Sequence, residues 1–381
     1  MKDAPAVMEH SGSWRPSEAL VSRIKRCYRI AINKEPPQHD LTIWSMIASK
    51  QKDIHDALLS DDRSAIELLS EPSKTNLYYG VDNLCKDIVP KHPPASDGAG
   101  QELRQMIETL AEAIGRKLVC NPLGGERFPD KSAPPSLSTE QYLQEISAAL
   151  GVQLRFPNPF AGEYGIRTTQ GMISYRAVPA IYQAYRMLQA CLSLGGGDCL
   201  EIGAGMGRTV YYARQLGLRC TIIDLPMTIV GQALFLSAAL GEDAVWMLGD
   251  PMPMGNRIAL LPPSEIATPD RSFDVVLNAD SLTEMGRNAA LTYMKFIEAR
   301  ARFFISINHE ANHFTVHELS ALTPNLVPLS RCLYWLRDGY VEEMFAVRKE
   351  IQTNSCSSGL AKSDRQCNGA DEEQDTARGV R

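Results

Sequence analysis

A chain of 381 residues with a formal net charge of −6 is long enough for two domains, or for one domain with a large extension. Its composition, 44% hydrophobic and 22% charged, is that of an ordinary globular protein, and the negative balance gives no broad basic surface for nucleic acid. No apolar run approaches the roughly 18 residues needed to cross a membrane, and the N-terminus lacks the basic-then-apolar layout of a secretion signal. The nine cysteines form no CxxC pair, so reduced thiols in a cytoplasm are expected rather than disulfides or a zinc site.

Residues 1–16 are polar, with Gly12 and two prolines, and are expected to be disordered. From Ser17 the pattern is helical: Leu20, Ile24, Cys27, Tyr28 and Ala31 recur at three- and four-residue steps. Shorter helices are expected around Ile54–Leu59 and Ile66–Leu69, broken at Pro72. Pro90–Gly98 is a clear break, a further helix runs over Gln101–Leu118, and Asn121–Ser138 is a second Pro/Gly-rich connection. Ser138-Thr139-Glu140-Gln141 matches a capping box ahead of a helix stopped by Gly151.

After Asp198 the texture becomes strands alternating with helices, which predicts a mainly parallel sheet with crossover helices. The strand candidates are Asp198–Ile202, Arg219–Ile223, Val245–Leu248, Phe273–Asn278, Phe303–Ile307, Leu329–Trp335 and Tyr340–Val347. Arg257–Pro262 is a rival for the third of them. The short Arg337-Asp338-Gly339 turn makes the last two a hairpin, so the final strand is antiparallel to its neighbour. From about Gln352 the chain is rich in Ser, Asp, Glu and Gln and is expected to be disordered to its end at Arg381.

Chemistry concentrates where these strands end. Glu201-Ile202-Gly203-Ala204-Gly205-Met206-Gly207 joins the first strand of the alternating region to its helix. Glycines allow a sharp turn and close backbone approach to a ligand. The spacing is G-x-G-x-G, with Arg208 where a dinucleotide turn has its last glycine. Glu201 would repel a pyrophosphate but suits S-adenosylmethionine, which carries a sulfonium, an ammonium and ribose hydroxyls. Asp224, ending the second strand, can accept hydrogen bonds from both ribose hydroxyls. Asp250 follows the third candidate strand and is expected near the adenine edge; if Arg257–Pro262 is the true third strand, Ser264 or Glu265 takes that place.

The segment Asn278-Ala279-Asp280-Ser281-Leu282-Thr283-Glu284-Met285 runs from a buried strand into polar residues at the edge where ligands bind in open α/β sheets. Asn278 and Asp280 are expected near methyl donor and acceptor, with Glu284 at the next helix. His309, at the end of the fifth strand, is at the right edge to act as a general base on a hydroxyl, a role imidazole side chains often fill. A divalent cation could be held by Asp280, Glu284, His309 and Glu310, but their spacing matches no metal motif and no metal ligands are assigned.

These residues resemble the sugar O-methyltransferases, within the class I S-adenosylmethionine-dependent enzymes. The resemblance rests on Leu200–Gly207 with Ile223-Asp224-Leu225-Pro226, on Asn278–Met285, and on Glu163–Arg167 leading to Gly171–Arg176 and Ile181–Arg186, and covers roughly residues 40–350. It implies a Rossmann-like seven-stranded sheet with an antiparallel last strand, S-adenosylmethionine as cofactor, and a hydroxyl of a sugar or glycosylated small molecule as acceptor. Glu201, Gly203, Gly205, Gly207, Asp224, Asp250 and Asn278 would then serve the cofactor, Tyr175 and Arg176 the substrate, and His309, Glu284 and Asp280 catalysis. The organisation expected is a disordered 1–16, a helical region 17–137 acting as lid, substrate wall or oligomer surface, a methyltransferase domain 138–350, and a disordered tail 351–381. The alternatives are a methyltransferase for a non-sugar metabolite, a nicotinamide-dependent oxidoreductase, and a non-catalytic relative acting as a partner protein.

Overall fold

The computed structural model of the chain describes residues 7–34, 43–88, 97–115, 137–267 and 271–348. The expected tail at 351–381, the first six residues and most of both Pro/Gly-rich connections lie outside the described residues. The N-terminal stretch departs from expectation at once. Residues 7–13 are not disordered but form β1 (Val7–Ser13), which pairs antiparallel with β2 (Phe160–Thr168). β3 (Gly171–Ser174) completes this small sheet. A strand whose partner lies so far along the chain leaves no local periodicity to read.

The helices follow their local chemistry. α1 (Glu18–Lys34) buries Leu20, Ile24, Cys27, Tyr28 and Ala31, the face expected from their spacing. Truncating a side chain such as Ile24, only 1% exposed, to alanine costs about 2–5 kcal/mol. α2 (Ile43–Lys50), α3 (Lys52–Leu59), α4 (Ser64–Ser70) and α5 (Asp97–Ala113) follow. α6 (Thr139–Leu150) opens on the expected capping box, in which the Ser138 hydroxyl accepts the Gln141 backbone N–H, and it stops at left-handed Gly151. α7 (Ala177–Leu194) leads into the large sheet.

That sheet contains β4 (Asp198–Ile202), β5 (Arg219–Ile223), β6 (Val245–Met247), β7 (Ile258–Leu261), β8 (Phe273–Ala279), β9 (Ala301–His309), β10 (Leu326–Leu333) and β11 (Tyr340–Val347). Its order is β10-β11-β9-β8-β4-β5-β7-β6. Every neighbouring pair is parallel except those made by β11, which runs antiparallel to both β9 and β10. This is the Rossmann-like sheet with an antiparallel last strand in the chain, but it has eight strands rather than seven. Both rivals for the third strand exist: β7 takes the place beside β5, and β6 is added outside it. α8 (Arg208–Gln215), α9 (Pro226–Leu240), α10 (Arg287–Arg300) and α11 (Val316–Ser320) complete the layers.

Strand alternation divides the core in two. Cys199, Val275 and Leu277 join a cluster with α1, α7, α8 and α9, whereas Leu200, Ile202 and Val276 join one with α10 and α11. The N-terminal helices therefore share one apolar core with the sheet. No helix among the described residues is long and apolar enough to cross a membrane.

Candidate active site

β4 lies between β5 and β8, so the crossovers leaving it diverge to opposite sides, and such a switch point opens a crevice at the C-terminal strand ends. A cavity of about 420 Å³ occupies this place, within the usual range for a small-molecule site. Glu201, Gly203, Gly205, Asp224, Asp280, Glu284, Tyr175 and Arg176 all line it.

Glycine is called for at two points of the turn. Gly203 sits at φ +70°, and a Cβ there would lie 2.1 Å from the Ser281 hydroxyl oxygen. Gly205 is favoured by its φ of +55° and not by crowding, since a Cβ there would lie an ordinary 3.6 Å from the Val81 carbonyl oxygen of the N-terminal region. That region forms a wall of the cavity through Trp44, Gly80, Val81 and Asp82. It is fastened by buried Arg208, which pairs with Asp82 at 3.3 Å and with Glu163 of β2 at 2.8 Å.

Two acids flank the turn. Glu201 is 3% exposed, and its Oε2 has no hydrogen-bond partner among the described residues. Burial pushes its carboxyl up to about 8, helped by nearby Asp224 and opposed by Thr209. Asp224 accepts the Leu225 backbone N–H at 2.8 Å and the Gln232 amide at 2.7 Å. Burial nonetheless raises it to about 7. The same Gln232 amide donates to the Gly205 carbonyl at 3.0 Å, which ties the second strand's acid to the turn.

The other end is built on β8 and the β10–β11 hairpin. Asp280 has φ +61° and is the one non-glycine residue in the left-handed region among the described residues. Such an outlier points to a constrained, functional position. Its carboxylate accepts from the Tyr340 hydroxyl and the Arg337 guanidinium, each at 2.5 Å. Arg337 also stacks over the Tyr340 ring, 3.9 Å from its centroid. Glu284 ends the 3-10 turn Leu282–Glu284, with Met285 and Gly286 between it and α10. Desolvation raises its carboxyl to about 7, with Asp280 adding to the rise and Arg337 opposing it.

Four expected site residues do not line the cavity. Asp250 is the largest correction: its side chain is fully buried and pairs with Arg23 of α1 at 3.1 Å. Because β7 holds the place beside β5, Pro263 reaches the cavity instead, and β6 carries Asp250 to the sheet margin. Asn278 is fully buried and donates to the Ile202 carbonyl at 2.9 Å, so it pins strands together. Gly207 is the N-cap residue ahead of α8, and a Cβ on it would face Leu236. His309 stands outside the lining with its ring against Tyr340, centroids 5.0 Å apart, because β11 pairs Tyr340 directly with it. Among the described residues no group of three or more His, Cys, Asp or Glu side chains is arranged to hold a metal ion.

Sequence reasoning missed Arg337, Tyr340 and Tyr334, which reach the cavity from the final hairpin. The Arg337-Asp338-Gly339 turn was the available signal, because a turn between the two strands at the sheet margin places its flanks at the ligand edge.

Comparison with protein-family models finds no match, and neither does comparison with curated proteins. Among solved structures the chain is similar to the glycopeptide N-methyltransferase MtfA complexed with sinefungin, at 13% identity, covering 44% of this chain and 87% of that one, with a TM-score of 0.33. It is similar to the mitomycin 7-O-methyltransferase MmcR at 13% identity, covering 45% of this chain and 55% of that one, with a TM-score of 0.33. The pyocyanin biosynthetic protein PhzM is 14% identical over 40% of this chain and 51% of its own, with a TM-score of 0.31. These likenesses are loose, and what the cavity can do follows from its own residues.

Proposed function

We propose that this protein is an S-adenosylmethionine-dependent O-methyltransferase acting on a hydroxyl of a sugar or glycosylated small molecule. The observation that carries the proposal is the pair of buried carboxyls, Glu201 and Asp224, flanking a glycine turn at the sheet's switch point. Two acids there oppose a pyrophosphate and favour a ligand with cationic groups and ribose hydroxyls. The glycine turn lets backbone approach the ligand, and Asp224 would accept hydrogen bonds from the ribose hydroxyls. When bound, S-adenosylmethionine supplies a methyl carbon activated by a sulfonium.

The protein's remaining task is to orient the acceptor oxygen and take its proton. Glu284 suits the second role, since a carboxyl raised to about 7 is a competent base near neutral pH and makes no ion pair among the described residues. Asp280, locked by Tyr340 and Arg337, fixes the polar surround of that oxygen. Tyr175, Tyr293, Tyr334 and Tyr340 give the cavity aromatic walls, which suit the apolar C–H faces of a sugar while polar groups meet its hydroxyls. No metal is assigned a role.

The test is calorimetry followed by mass spectrometry. Heat with S-adenosylmethionine and with its demethylated product is expected, followed by a one-methyl mass gain on a hydroxylated glycan or glycoside. No heat with either nucleoside would sink the enzyme reading. A mass gain confined to non-glycosylated metabolites would replace the acceptor class.

A further inference from the structure

The two edges of the large sheet are finished differently. β6, at one margin, is three residues long. Arg23 of α1 donates to its Val245 carbonyl at 3.0 Å and to the Glu242 carbonyl just ahead of it at 3.1 Å. β10, at the other margin, is eight residues long and exposed from Pro328 to Leu333. Leu329 is 55% exposed, and Leu333, at 82%, is the most exposed large apolar side chain among the described residues. A long apolar strand edge is a template for pairing, so chains shorten it, cover it or charge it where it is not used. β6 is short and fastened to α1. β10 is neither short nor covered among the described residues, and its one charged side chain, Arg331, is held by acids of its own chain.

The exposed stretch is complementary to itself. The register shift between Pro328 and Ser330 sets Leu329–Leu333 apart as the segment free to pair. Strand alternation puts Leu329, Arg331 and Leu333 on one face, that of Glu343, the register partner of Arg331. Antiparallel pairing of two such strands about a two-fold axis at Arg331 sets each Leu329 opposite Leu333 of the second copy. It also sets each Ser330 opposite Cys332 of the second copy. The charges agree with this match. Arg331 reaches Glu310 and Glu343, each at 2.8 Å, so one guanidinium is shared by two carboxylates. Each copy thus brings a surplus acid to the place where the other's Arg331 arrives, which offsets the approach of two like charges.

We propose that the protein forms a two-fold dimer through β10, with a second copy of this chain as the occupant of the edge and the eight-stranded sheet continued across the axis. The inference does not rest on the cofactor reading. It assigns the oligomer surface to the last hairpin, whereas the sequence pointed to the helical N-terminal region. β10 runs directly into Tyr334 and Arg337 of the cavity lining, so the same contact holds the hairpin that carries Arg337 and Tyr340.

The test is the solution mass of the full-length protein by light scattering at micromolar concentration, where twice the chain mass is expected. The pair Leu329→Lys and Leu333→Lys, both at exposed positions, should weaken the dimer by at least about 100-fold and leave Tm of the monomer and its circular dichroism unchanged. Ser330→Cys treated with oxidised glutathione should give a disulfide-linked dimer, mapped by peptide mass spectrometry to the introduced cysteine and Cys332, since residues directly opposite lie within disulfide reach. Adding Cys332→Ala should abolish that link. A wild-type monomer overturns the inference, and slow hydrogen exchange of the β10 amides in such a monomer would show that the chain's own tail covers the strand. A dimer that survives both lysines, or a cross-link that forms equally without Cys332, overturns it as well.

Discussion

On the β4–β5 side of the cavity, Glu201 and Asp224 are buried and make no ion pair among the described residues; on the β8–β11 side, Asp280 is paired with Arg337 and Glu284 sits beside that pair. Burial drives the first two carboxyls toward neutrality, with Asp224 adding to the rise at Glu201. In the second region one acid is neutralised by a fixed cation, while its neighbour keeps a tunable proton. Unpaired buried acids suit a ligand that brings its own donors and positive charge. A charge network around one free acid suits proton removal. On the function proposed above, the first region would bind and the second react, and it should then be possible to disable each while the other is left working.

The largest effect is expected at Glu284. Glu284→Gln should lower kcat by about 10²- to 10⁴-fold, the usual worth of a positioned base, and leave calorimetric affinity for S-adenosylmethionine unchanged. In the unaltered enzyme kcat should rise with pH through a midpoint near 7, since the base acts when ionised. Arg337→Gln removes the cation that opposes the rise and should move the midpoint up. Asp280→Asn removes the like charge and should move it down, and asparagine tolerates the left-handed backbone at this position. A fall in cofactor affinity matching the fall in kcat would break the division between the two regions.

Asp224→Ala comes next and tests the opposite region. Loss of the ribose acceptor should weaken S-adenosylmethionine binding by about 10- to 100-fold by calorimetry. It also removes the acceptor of one Gln232 amide N–H, whose bond to the Gly205 carbonyl remains, and of the Leu225 N–H, so some folding stability should go with it. Unchanged affinity would remove Asp224 from the cofactor site.

The two regions also differ in how far the sequence exposed them. Glu201, the glycines and Asp224 are set by one strand, one turn and the next strand, so local spacing suffices. Asp280 and Glu284 were visible as polar residues at a strand end, but their controllers Arg337 and Tyr340 join them only because β11 inserts between β9 and β10. Strand order is a tertiary fact, which is also why Asp250 was misplaced and β1 missed. Nothing local tells whether β6 or β7 abuts β5, or that residues 7–13 find β2.

A smaller effect should appear in folding stability. Glu201 is held near 8 by burial, while an unfolded glutamate has a model value of 4.5. Between those values the unfolded chain is ionised and the folded one still protonated. The unfolded state therefore binds fewer protons, and stability falls as pH rises through this window. Thermal melts of the ligand-free protein should show Tm dropping from about pH 5 to 8, and Glu201→Gln should flatten much of that slope. Asp224, raised to about 7, contributes in the same direction and leaves a residual slope in the variant. S-adenosylmethionine should restore Tm most at high pH, where its ammonium meets an ionised Glu201. A Tm that rises over this range would contradict the buried, unpaired state assigned to the first region.

The smallest effect is expected at His309, although imidazole would ordinarily be the first choice for a base on a hydroxyl. Its ring is turned to the edge of Tyr340, outside the cavity lining, and the Tyr340 hydroxyl is already committed to Asp280. His309 can reach the chemistry only by holding Tyr340 in place, a packing contribution of about 0.5–1.5 kcal/mol for an aromatic pair. His309→Gln should therefore reduce kcat by no more than about tenfold, leave the pH midpoint near 7, and leave cofactor affinity unchanged. Tyr340→Phe should exceed that effect, because it removes the hydrogen bond to Asp280 while keeping the ring beside His309. If His309→Gln instead abolishes the pH dependence while Glu284→Gln preserves it, the proton acceptor lies on β9, and the reactive region must be redrawn around that strand.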